Sequence, residues 1–387
     1  MNLLDGWQLA RLGDLVNNHD GKRIPLKQHD RLNKKGEYRY YGASGIIDYV
    51  DDYLFDGTYL LISEDGANLL MRSTPIAFKV SGKFWVNNHA HVVQPRDGVS
   101  LDFLMYFLAI TDLKPYVTGA AQPKLTQGDM NSILVPCPPF SEQQRIAAIL
   151  SEQLAAVERA RAAAAAQLEA AKALPVAYLR EVFDSPEAQL WQEKPISDFA
   201  ATCSGATPSR SRADYYVGII PWVKTGELKD GIINDTEEHV SEAALSETSI
   251  KLLPSNTLLI AMYGQGQTRG RTGLLSKPAT TNQACFAILP NPDTFDPTFL
   301  QFWFRYSYSR LRRETEGRGG NQSNLNGEVL GKQKVPLPPI TIQKQIAEKL
   351  TARIAETETA SKQLEEQLFT IGKIPAALLH QAFSGKL

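Results

Sequence analysis

The chain has 387 residues, of which 43% are hydrophobic and 21% are charged, and its formal net charge is −1 at pH 7. These values predict a globular protein of two domains and argue against a simple DNA-coating protein. The N-terminus lacks a signal peptide, no stretch approaches the roughly 20 apolar residues of a membrane span, and the three cysteines have no metal-binding spacing. We therefore expect a cytoplasmic protein that has no membrane segment and no metal.

The first 140 residues predict a mixed α/β domain that contains more strand than helix. Short β-rich runs are separated by Gly, Asn, Asp and Pro, a pattern that is typical of strands joined by turns. We predict strands at Tyr59–Ser63, Ile76–Val80, Phe84–Val86 and Ala90–Val93. A helix is predicted at Leu101–Ile110, and the stretch from Lys22 to Arg39 has seven Lys or Arg against two Asp or Glu. This domain could therefore present a basic face.

Residues 141–185 predict a long helix. Pro138-Pro139 ends the preceding element, Ser141 is a favourable N-cap, and apolar residues then follow in steps of four and three. From Ser141 to Lys172 the helix would have 32 residues, or a length of ~48 Å at about 1.5 Å per residue.

Residues 186–338 predict a second domain of the same kind. Its predicted elements are strands at Thr257–Tyr263 and Ala284–Leu289 and a helix at Pro297–Arg313. Glycine-rich loops stand at 263–273 and 318–324, and glycine allows a backbone to approach a ligand closely. From Gly264 to Lys334 there are ten Lys or Arg against five Asp or Glu, so this domain could also present a basic face.

The end of the chain, residues 339–387, repeats the first helical segment. VPLPPITIQKQIA at 335–347 repeats VPCPPFSEQQRIA at 135–147, at an offset of 200 residues. The two upstream domains repeat more loosely. Their matching segments are TYLLIS at 58–63 with TLLIAM at 257–262, and NNHAHVV at 87–93 with TNQACFA at 281–287.

Each helical segment carries a heptad seam that it cannot bury alone. We therefore predict that the two helices pair as an antiparallel coiled coil. The seam residues are Leu150, Leu154, Val157 and Leu168 in the first helix, and Leu350, Ile354, Leu364 and Leu368 in the second. Interruptions are predicted at Arg161 in the first helix and at Thr357 and Ser361 in the second.

The chain lacks a recognisable catalytic motif. CPPF at 137–140 is close to the motif of an adenine methyltransferase, but Cys137 cannot accept two hydrogen bonds from an amino group as Asn or Asp would. His89 and His91 project to one side of a predicted strand and suggest a metal ligand pair, but no third ligand stands nearby. We expect these histidines to have a structural or hydrogen-bonding role.

Together these features resemble the specificity subunit of a Type I restriction-modification system. In that family two variable target-recognition domains are each followed by a helical repeat that begins PxPPxxxQxxIA, and here the C-terminus reads FSGKL. The segments ISEDGANL at 62–69 and FWVNNHAHVV at 84–93 are also similar to its first recognition domain. The paired repeat is the specific part of this resemblance, which covers essentially the whole chain.

The resemblance implies an α+β fold of two mixed α/β target-recognition domains, each followed by a long helix. It also implies a DNA-binding subunit without catalytic activity of its own. Each recognition domain would read one half of a bipartite, asymmetric site on double-stranded DNA. The helices would set the gap and dock two methyltransferase subunits, which bind S-adenosylmethionine and methylate adenine N6. Endonuclease-translocase subunits would complete the complex.

Candidate DNA contacts follow from the residue types in the basic stretches and the glycine-rich loops. Arginine and lysine suit phosphate or guanine, and asparagine and glutamine suit adenine. In the second domain they are Gln265, Gln267, Arg269, Arg271, Arg318, Asn321 and Gln322. In the first domain they are Lys22, Arg23, Asn68, Arg72, Lys83, Asn88, Gln122 and Lys124.

Two alternatives of other classes stay open at this point. A methyltransferase with its own active site would bind S-adenosylmethionine as an isolated chain. A scaffold that uses the paired helices to join partner proteins would show no salt-dependent binding to DNA.

Overall fold

The structure is a computed structural model, and it describes residues 6–119, 122–264, 267–316 and 325–386. Two compact units divide it: unit 1 contains residues 1–166 and 365–387, and unit 2 contains residues 167–364. Each unit therefore contains one predicted domain, 1–140 or 186–338, together with part of both long helices. Within the described ranges, no helix combines the length and the hydropathy that a membrane span needs.

Within its described residues, unit 1 has eight strands, six of which form its main sheet. Its strands are β1 (Gln8–Arg11), β2 (Val16–Asn18), β3 (Tyr38–Gly42), β4 (Gly45–Val50), β5 (Phe55–Ser63), β6 (Ala77–Val86), β7 (Ala90–Pro95) and β8 (Leu134–Cys137). Its helices are α1 (Leu12–Leu15), α2 (Gln28–Leu32), α3 (Asn68–Met71), α4 (Leu101–Ile110), α5 (Gln127–Ser132) and the beginning of α6 (Phe140–Phe183). The helix predicted at Leu101–Ile110 is confirmed, whereas the two strands predicted between residues 76 and 86 are one continuous strand, β6.

The sheet of unit 1 has the order β2-β7-β5-β6-β3-β4, and β1 pairs separately with β8. All neighbours in the large sheet are antiparallel except β3 and β6. Successive side chains of a strand point to opposite faces. Leu60 and Ile62 accordingly join the core that includes the long helices, whereas Tyr59 and Leu61 join a second core on the other face. The centre of β5 is therefore buried on both sides.

Unit 2 repeats this plan with shorter strands. Its strands are β9 (Glu193–Pro195), β10 (Thr202–Ser204), β11 (Ile220–Val223), β12 (Gly231–Ile233), β13 (His239–Val240), β14 (Leu258–Ala261), β15 (Thr272–Leu275), β16 (Thr280–Thr281), β17 (Cys285–Ile288) and β18 (Lys334–Pro336). Its helices, besides the end of α6, are α7 (Ile196–Phe199), α8 (Glu242–Glu247), α9 (Pro297–Glu316), α10 (Gly327–Gly331) and most of α11 (Ile340–Phe383). The main sheet has the order β10-β17-β14-β15-β12, and β9 pairs with β18 as β1 pairs with β8.

The faces to which the strand side chains point give a corrected alignment of the two domains. In unit 2, Leu258 faces the core that includes the long helices, as Leu60 does in unit 1, and their partners across the sheet are Ile288 and Val93. The sequence match of 58–63 with 257–262 would instead place Tyr59 on Leu258. That match is out of register by one residue, because a shift of one residue exchanges the two faces of a strand. The same correction places His91 of unit 1 at the position of Phe286 in unit 2.

Both long helices extend further than predicted. Each has 44 residues, whereas α6 was predicted to span the 32 residues from Ser141 to Lys172, and each continues through an internal proline, Pro175 or Pro375. The predicted N-cap at Ser141 is wrong, because α6 begins at Phe140 and the carbonyl of Pro139 accepts hydrogen bonds from the backbone of Glu142 and Gln143. A proline removes one hydrogen-bond donor from a helix, but residues beyond Pro175 pack into the core of unit 2 and hold the helix there.

The two long helices run antiparallel, as predicted. In unit 1 the beginning of α6, with Ile146 and Leu150, shares a core with the end of α11, including Phe383. In unit 2 the beginning of α11, with Leu350, shares a core with the end of α6, including Phe183. Because each unit contains the beginning of one helix and the end of the other, the paired-helix prediction is confirmed.

The seam residues are buried along both helices. Leu150, Leu168, Leu350 and Ile354 are buried, and Leu154, Val157, Leu364 and Leu368 are half-buried. Arg161 is exposed, as its predicted interruption requires, but Thr357 is buried and continues the seam. Its hydroxyl donates to the carbonyl of Arg353 at 2.8 Å, so the polar atom is satisfied within its own helix.

A buried glutamine fastens the beginning of each long helix to its domain. The Gln143 side chain is buried, donates to the carbonyls of Pro138 and Gly98, and accepts from the backbone of Ser100. Gln343 repeats this arrangement with the carbonyls of Pro338 and Thr294 and the backbone of Asp296. Buried polar groups require such partners, which explains why the repeat keeps this glutamine.

Aromatic contacts fasten the helix ends in the same way. Phe383 packs on Phe103, with ring centroids 5.2 Å apart, and Phe183 packs on Phe299 at 5.6 Å. Phe103 also contacts Trp7, with ring centroids 6.3 Å apart, and Phe299 contacts Trp191 at 6.2 Å. Trp7 and Trp191 therefore occupy equivalent positions in the two units.

Candidate DNA interface

A buried charge cluster of Asp20, Arg23, Glu64 and His91 lies beside β7 in unit 1. Arg23 forms ion pairs with Glu64 at 2.6 Å and Asp20 at 3.4 Å, and it donates to the carbonyl of Ala90. His91 Nδ1 lies 2.6 Å from the Asp20 carboxylate, and its Nε2 lies 2.8 Å from the carbonyl of Leu125. His91 therefore lies within hydrogen-bond distance of a partner at both ring nitrogens.

The electrostatics of Asp20 reflect this cluster. Burial of the carboxyl opposes its ionisation, but the hydrogen bond and charge of His91, together with the backbone N–H of Val92, outweigh that effect. The pKa of Asp20 is consequently lowered below its ordinary value. Asp20 is thus held as an anion inside the unit.

The same three residues, Asp20, Glu64 and His91, have ligand atoms that lie within 4.8 Å of one another, close enough to hold a metal ion. The guanidinium of Arg23 already contacts both carboxylates, and its side chain is only 13% exposed. A second cation there would lie against this charge. The cluster therefore has the composition of an internal ion-pair network, in agreement with the hydrogen-bonding role expected for His91.

Two of the first-domain candidates, Arg72 and Asn68, make hydrogen bonds that hold nearby backbone segments in place. The guanidinium of Arg72 donates to the carbonyls of Leu108, Ala109 and Thr111, and so it caps the C-terminal end of α4. Burial lowers the pKa of this guanidinium. Asn68 donates to the carbonyl of Thr74 and accepts from its backbone N–H, which closes the loop after β5.

The other first-domain candidates lie on the surface. Lys124 pairs with Glu64 at 3.2 Å and remains half exposed, so it connects the charge cluster to solvent. Lys83 is exposed, with its ammonium 4.5 Å from the centre of the Tyr53 ring. The exposed candidates without a side-chain hydrogen bond to a described residue are Lys22, Asn88 and Gln122.

In unit 2, Arg271 is held by an ion pair with Asp230 at 2.5 Å and lies over the ring of Tyr308 at 5.3 Å. Burial opposes its charge, but Asp230 outweighs that effect and raises the pKa of the guanidinium. Arg271 also donates to Gln267 at 3.0 Å. Arg269 is buried, with 8% exposure, so its side chain is not a surface contact in this structure.

A cavity of about 310 Å³ lies beside this loop in unit 2. Gln267, Thr268 and Arg271 line one side, and Lys229 lines the other. Lys229 is exposed and has no ion pair with a described residue. It was absent from the sequence candidates because it lies about 40 residues before the loop, in a stretch that is acidic as a whole.

Four second-domain candidates, Gln265, Arg318, Asn321 and Gln322, lie outside the described residues. The structure nevertheless places the flanks of both glycine-rich loops. Residues 267–273 contact α9, since the Tyr308 hydroxyl donates to the carbonyl of Gln267 at 2.6 Å. Leu325 is fully buried in the main core of unit 2, as Leu125 is in unit 1.

A family model described as the Type I restriction modification DNA specificity domain matches the chain twice, at residues 4–167 and 189–368. The chain is similar to a putative type I restriction enzyme specificity subunit, S.HindORF215P, from Haemophilus influenzae, with 38% identity over 38% of either protein. It is also similar to the EcoR124I/EcoR124II specificity subunit from Escherichia coli, with 25% identity over 56% of this chain and 54% of the relative. These matches thus span between two-fifths and about half of the relatives' lengths. The EcoDI specificity subunit from Escherichia coli matches with 21% identity over 98% of this chain and 88% of that protein.

Two solved structures share the fold. A chain from a structure that describes assembly and conformational transition of the type I R-M system has a TM-score of 0.71 and 18% identity, with 100% of both chains covered. The HsdS subunit from Thermoanaerobacter tengcongensis has a TM-score of 0.65 and 18% identity, with 100% of this chain and 99% of that chain covered.

Proposed function

We propose that this chain, which belongs to the family of Type I restriction-modification DNA specificity domains, is the sequence-specific DNA-binding subunit of a Type I restriction-modification complex. The observation that carries the proposal is the double unit. Two family-matched domains are each fastened to a long helix by an equivalent buried glutamine, Gln143 or Gln343. Such a chain presents two different recognition surfaces on one repeated scaffold.

Each domain reads one half of a bipartite, asymmetric site on double-stranded DNA. In unit 2 the loop at 267–271 and Lys229 border a concave surface with cationic and amide groups. These groups suit phosphate oxygens and base edges in the major groove. In unit 1 the exposed Lys22, Asn88 and Lys124 have the same chemistry. Since the loops differ between the units, the two half-sites differ in sequence.

The repeated helices α6 and α11 bind the partner subunits. Because α6 and α11 carry the same motif at an offset of 200 residues, they offer two equivalent docking surfaces for two copies of one methyltransferase subunit, and they set the gap between the half-sites. The partner subunits hold S-adenosylmethionine and methylate adenine N6. Endonuclease-translocase subunits join to cut unmodified DNA. This chain selects the site and performs no chemical step.

The test is methylation by the reconstituted complex. The chain is co-purified with the methyltransferase subunit encoded beside it, and DNA incubated with the complex and S-adenosylmethionine is sequenced for N6-methyladenine. We expect methylation confined to one split motif with a fixed gap. Methylation without a split motif, or failure to form the complex, would favour the scaffold alternative. S-adenosylmethionine binding by the isolated chain would favour the autonomous enzyme.

Single substitutions in one unit at a time test which domain reads which half-site. Lys229→Gln should relax the sequence requirement in the half-site that the second domain reads, and Lys124→Gln should do so in the half-site that the first domain reads. Lys251→Gln is the control, since Lys251 is exposed and lies outside both candidate surfaces. Equal effects of all three changes would contradict the assignment of one half-site to each domain.

A further inference from the structure

A pocket rich in arginine lies in unit 2, between the end of α6 and the second half of α9. It has a volume of about 480 Å³. Arg180 of α6 and Asp184, which directly follows α6, line one wall, and Arg305, Tyr306 and Arg313 line the other from α9. A fourth arginine, Arg310, also borders it. No sequence motif indicated this pocket, because its two walls are more than 120 residues apart in the chain.

The charge of this pocket is not balanced by the described residues around it. Arg180, Arg305 and Arg313 have neither an ion pair nor a side-chain hydrogen bond to any described residue. Asp184 is the one acid among the described lining residues, and its carboxylate accepts a hydrogen bond from the hydroxyl of Tyr306. The pocket thus differs from the surroundings of Arg23 and Arg271, whose charges are paired.

Arg305 is the most restricted of these cations. Its guanidinium lies 5.4 Å from the centre of the Phe302 ring, and burial lowers its pKa. A partly buried cation without a hydrogen-bond acceptor is unfavourable, because the lost hydration is not replaced. An anion in the pocket would supply the missing acceptor.

The pocket adjoins the candidate DNA surface of the same unit. Tyr308 lines the pocket, and its hydroxyl donates to the carbonyl of Gln267 at 2.6 Å. The Arg271 guanidinium lies over the same ring, 5.3 Å from its centre. A DNA strand that contacts the loop at 267–271 would therefore have its backbone close to the pocket.

We propose that this arginine pocket binds a phosphate group of the DNA backbone beside the half-site read by the second domain. The inference rests on the proposed function. Guanidinium groups bind phosphate oxygens through paired N–H donors, and tyrosine and serine hydroxyls donate to the same oxygens. The pocket adds affinity and fixes orientation, but it carries no sequence information.

The first domain has no equivalent among its described residues. With Phe103 and Phe299 as matching positions, Arg305 corresponds to Ala109 and Arg313 to Val117. Helix α4 ends at Ile110, whereas α9 continues to Glu316. The phosphate contact therefore belongs to the second domain alone.

The experiment measures DNA affinity of the assembled complex against salt concentration. Arg305→Gln and Arg313→Gln are compared with the wild type and with Lys251→Gln, on a duplex carrying the methylated motif and on one whose second half-site is scrambled. Each pocket variant should lower affinity about 8-fold at 0.1 M salt and reduce the slope of log K against log salt by about 0.9. The loss should be equal on both duplexes, because a phosphate contact carries no sequence information. Lys251→Gln should leave the slope unchanged.

The outcomes separate the pocket from the proposed function. A wild-type complex without salt-dependent DNA binding would overturn the proposed function and this inference with it. A wild-type complex that binds its split site, with unchanged slopes in both pocket variants, would overturn the pocket alone. Loss of the methyltransferase subunit from the variant complexes at an unchanged slope would assign the pocket to an acidic partner surface instead. Arg313 is exposed, so its variant should fold even if Arg305→Gln does not.

Discussion

Unit 1 and unit 2 share a scaffold but stabilise it with different chemistry at one core position. On the strand next to the central one, unit 1 has His91, which is paired with Asp20 and linked through it to Arg23 and Glu64. Unit 2 has Phe286 at the matching position, 2% exposed in an apolar core. The pairing of the strands is the same in both. The backbone register is therefore the property that the two domains share, and it tolerates the exchange of a charged network for an aromatic ring.

The largest expected difference between the units comes from their arginines. Arg23→Met would remove the guanidinium that bridges the buried Asp20 and Glu64 carboxylates, whose remaining ion pairs are those with His91 and Lys124. This change should destabilise unit 1 by about 3–5 kcal/mol. Arg271→Met, whose side chain is more exposed, should destabilise unit 2 by only about 0.2–1 kcal/mol. Hydrogen exchange measured by mass spectrometry on peptides of each unit would report the two effects separately. Equal losses of stability would show that the charge network stabilises unit 1 no more than the pair of Arg271 and Asp230 stabilises unit 2.

The helix anchors should behave alike in both units. Gln143→Leu or Gln343→Leu would leave a buried proline carbonyl, a second carbonyl and one backbone N–H without their side-chain partner. The expected loss of stability is about 1–3 kcal/mol. Denaturant unfolding, followed by exchange in the affected unit, would measure the loss. Glu152→Leu, a change at an exposed position of α6, is the control. A clear difference between the two glutamine variants would break the equivalence of the anchors.

Acid should affect the two cores differently. The lowered pKa of Asp20 means that its ionised form stabilises unit 1 above the ordinary pKa of 3.8, and this contribution is lost as the pH falls through the lower folded value. Phe286 has no such dependence. Exchange rates of peptides from β7 and β17 at pH 5 and in the acid range would show whether β7 opens first. Asp20→Asn should remove most of this pH dependence, and an unchanged profile in that variant would contradict the assignment.

The smallest expected effect compares the two long helices at one matched position. Thr357 of α11 corresponds to Val157 of α6, at the offset of 200 residues. Thr357→Val should stabilise the pair by about 0.5–1 kcal/mol, since the hydroxyl only bonds back to its own helix. Val157→Thr should have the opposite sign. Thermal unfolding of both variants and the double exchange would measure these changes, and a destabilising Thr357→Val would show that the hydroxyl supports the seam.

Local patterns in the sequence predicted much of this fold. The heptad spacing located the seam, the limits of α4 were correct, and the repeat motif contained the glutamine that anchors each helix. The face of each strand was predicted less well, because a shift of one residue changes the alignment little but reverses every side chain. The continuation of α6 beyond Pro175 depends on packing into a core that includes residues more than 100 positions away, such as Phe299.

The candidate site was harder to predict for the same reason. Arg23 and Arg72 were expected at DNA because of their charge, but Glu64, which pairs with Arg23, and the α4 carbonyls that Arg72 contacts lie 41 and more than 35 residues away in sequence. Neither the position of Lys229 beside the loop nor the arginine pocket could be predicted from the sequence, because each is formed by segments that are far apart in the chain. Charge in a sequence predicts that a surface is basic; which cations remain unpaired is decided by tertiary contacts.

The insertion of Phe383 into the core of unit 1 has a consequence for synthesis on the ribosome. The sheet of unit 1 is complete by residue 137, yet its core also requires residues 365–387. At about 5–20 residues per second, the roughly 200 residues between the two parts of this unit take about 10–40 s to translate. During that interval Phe103 and Phe107, which both pack on Phe383, would be uncovered in the nascent chain. The first domain to emerge is therefore the last to be completed, and chaperone binding to it should persist until translation reaches the final helix.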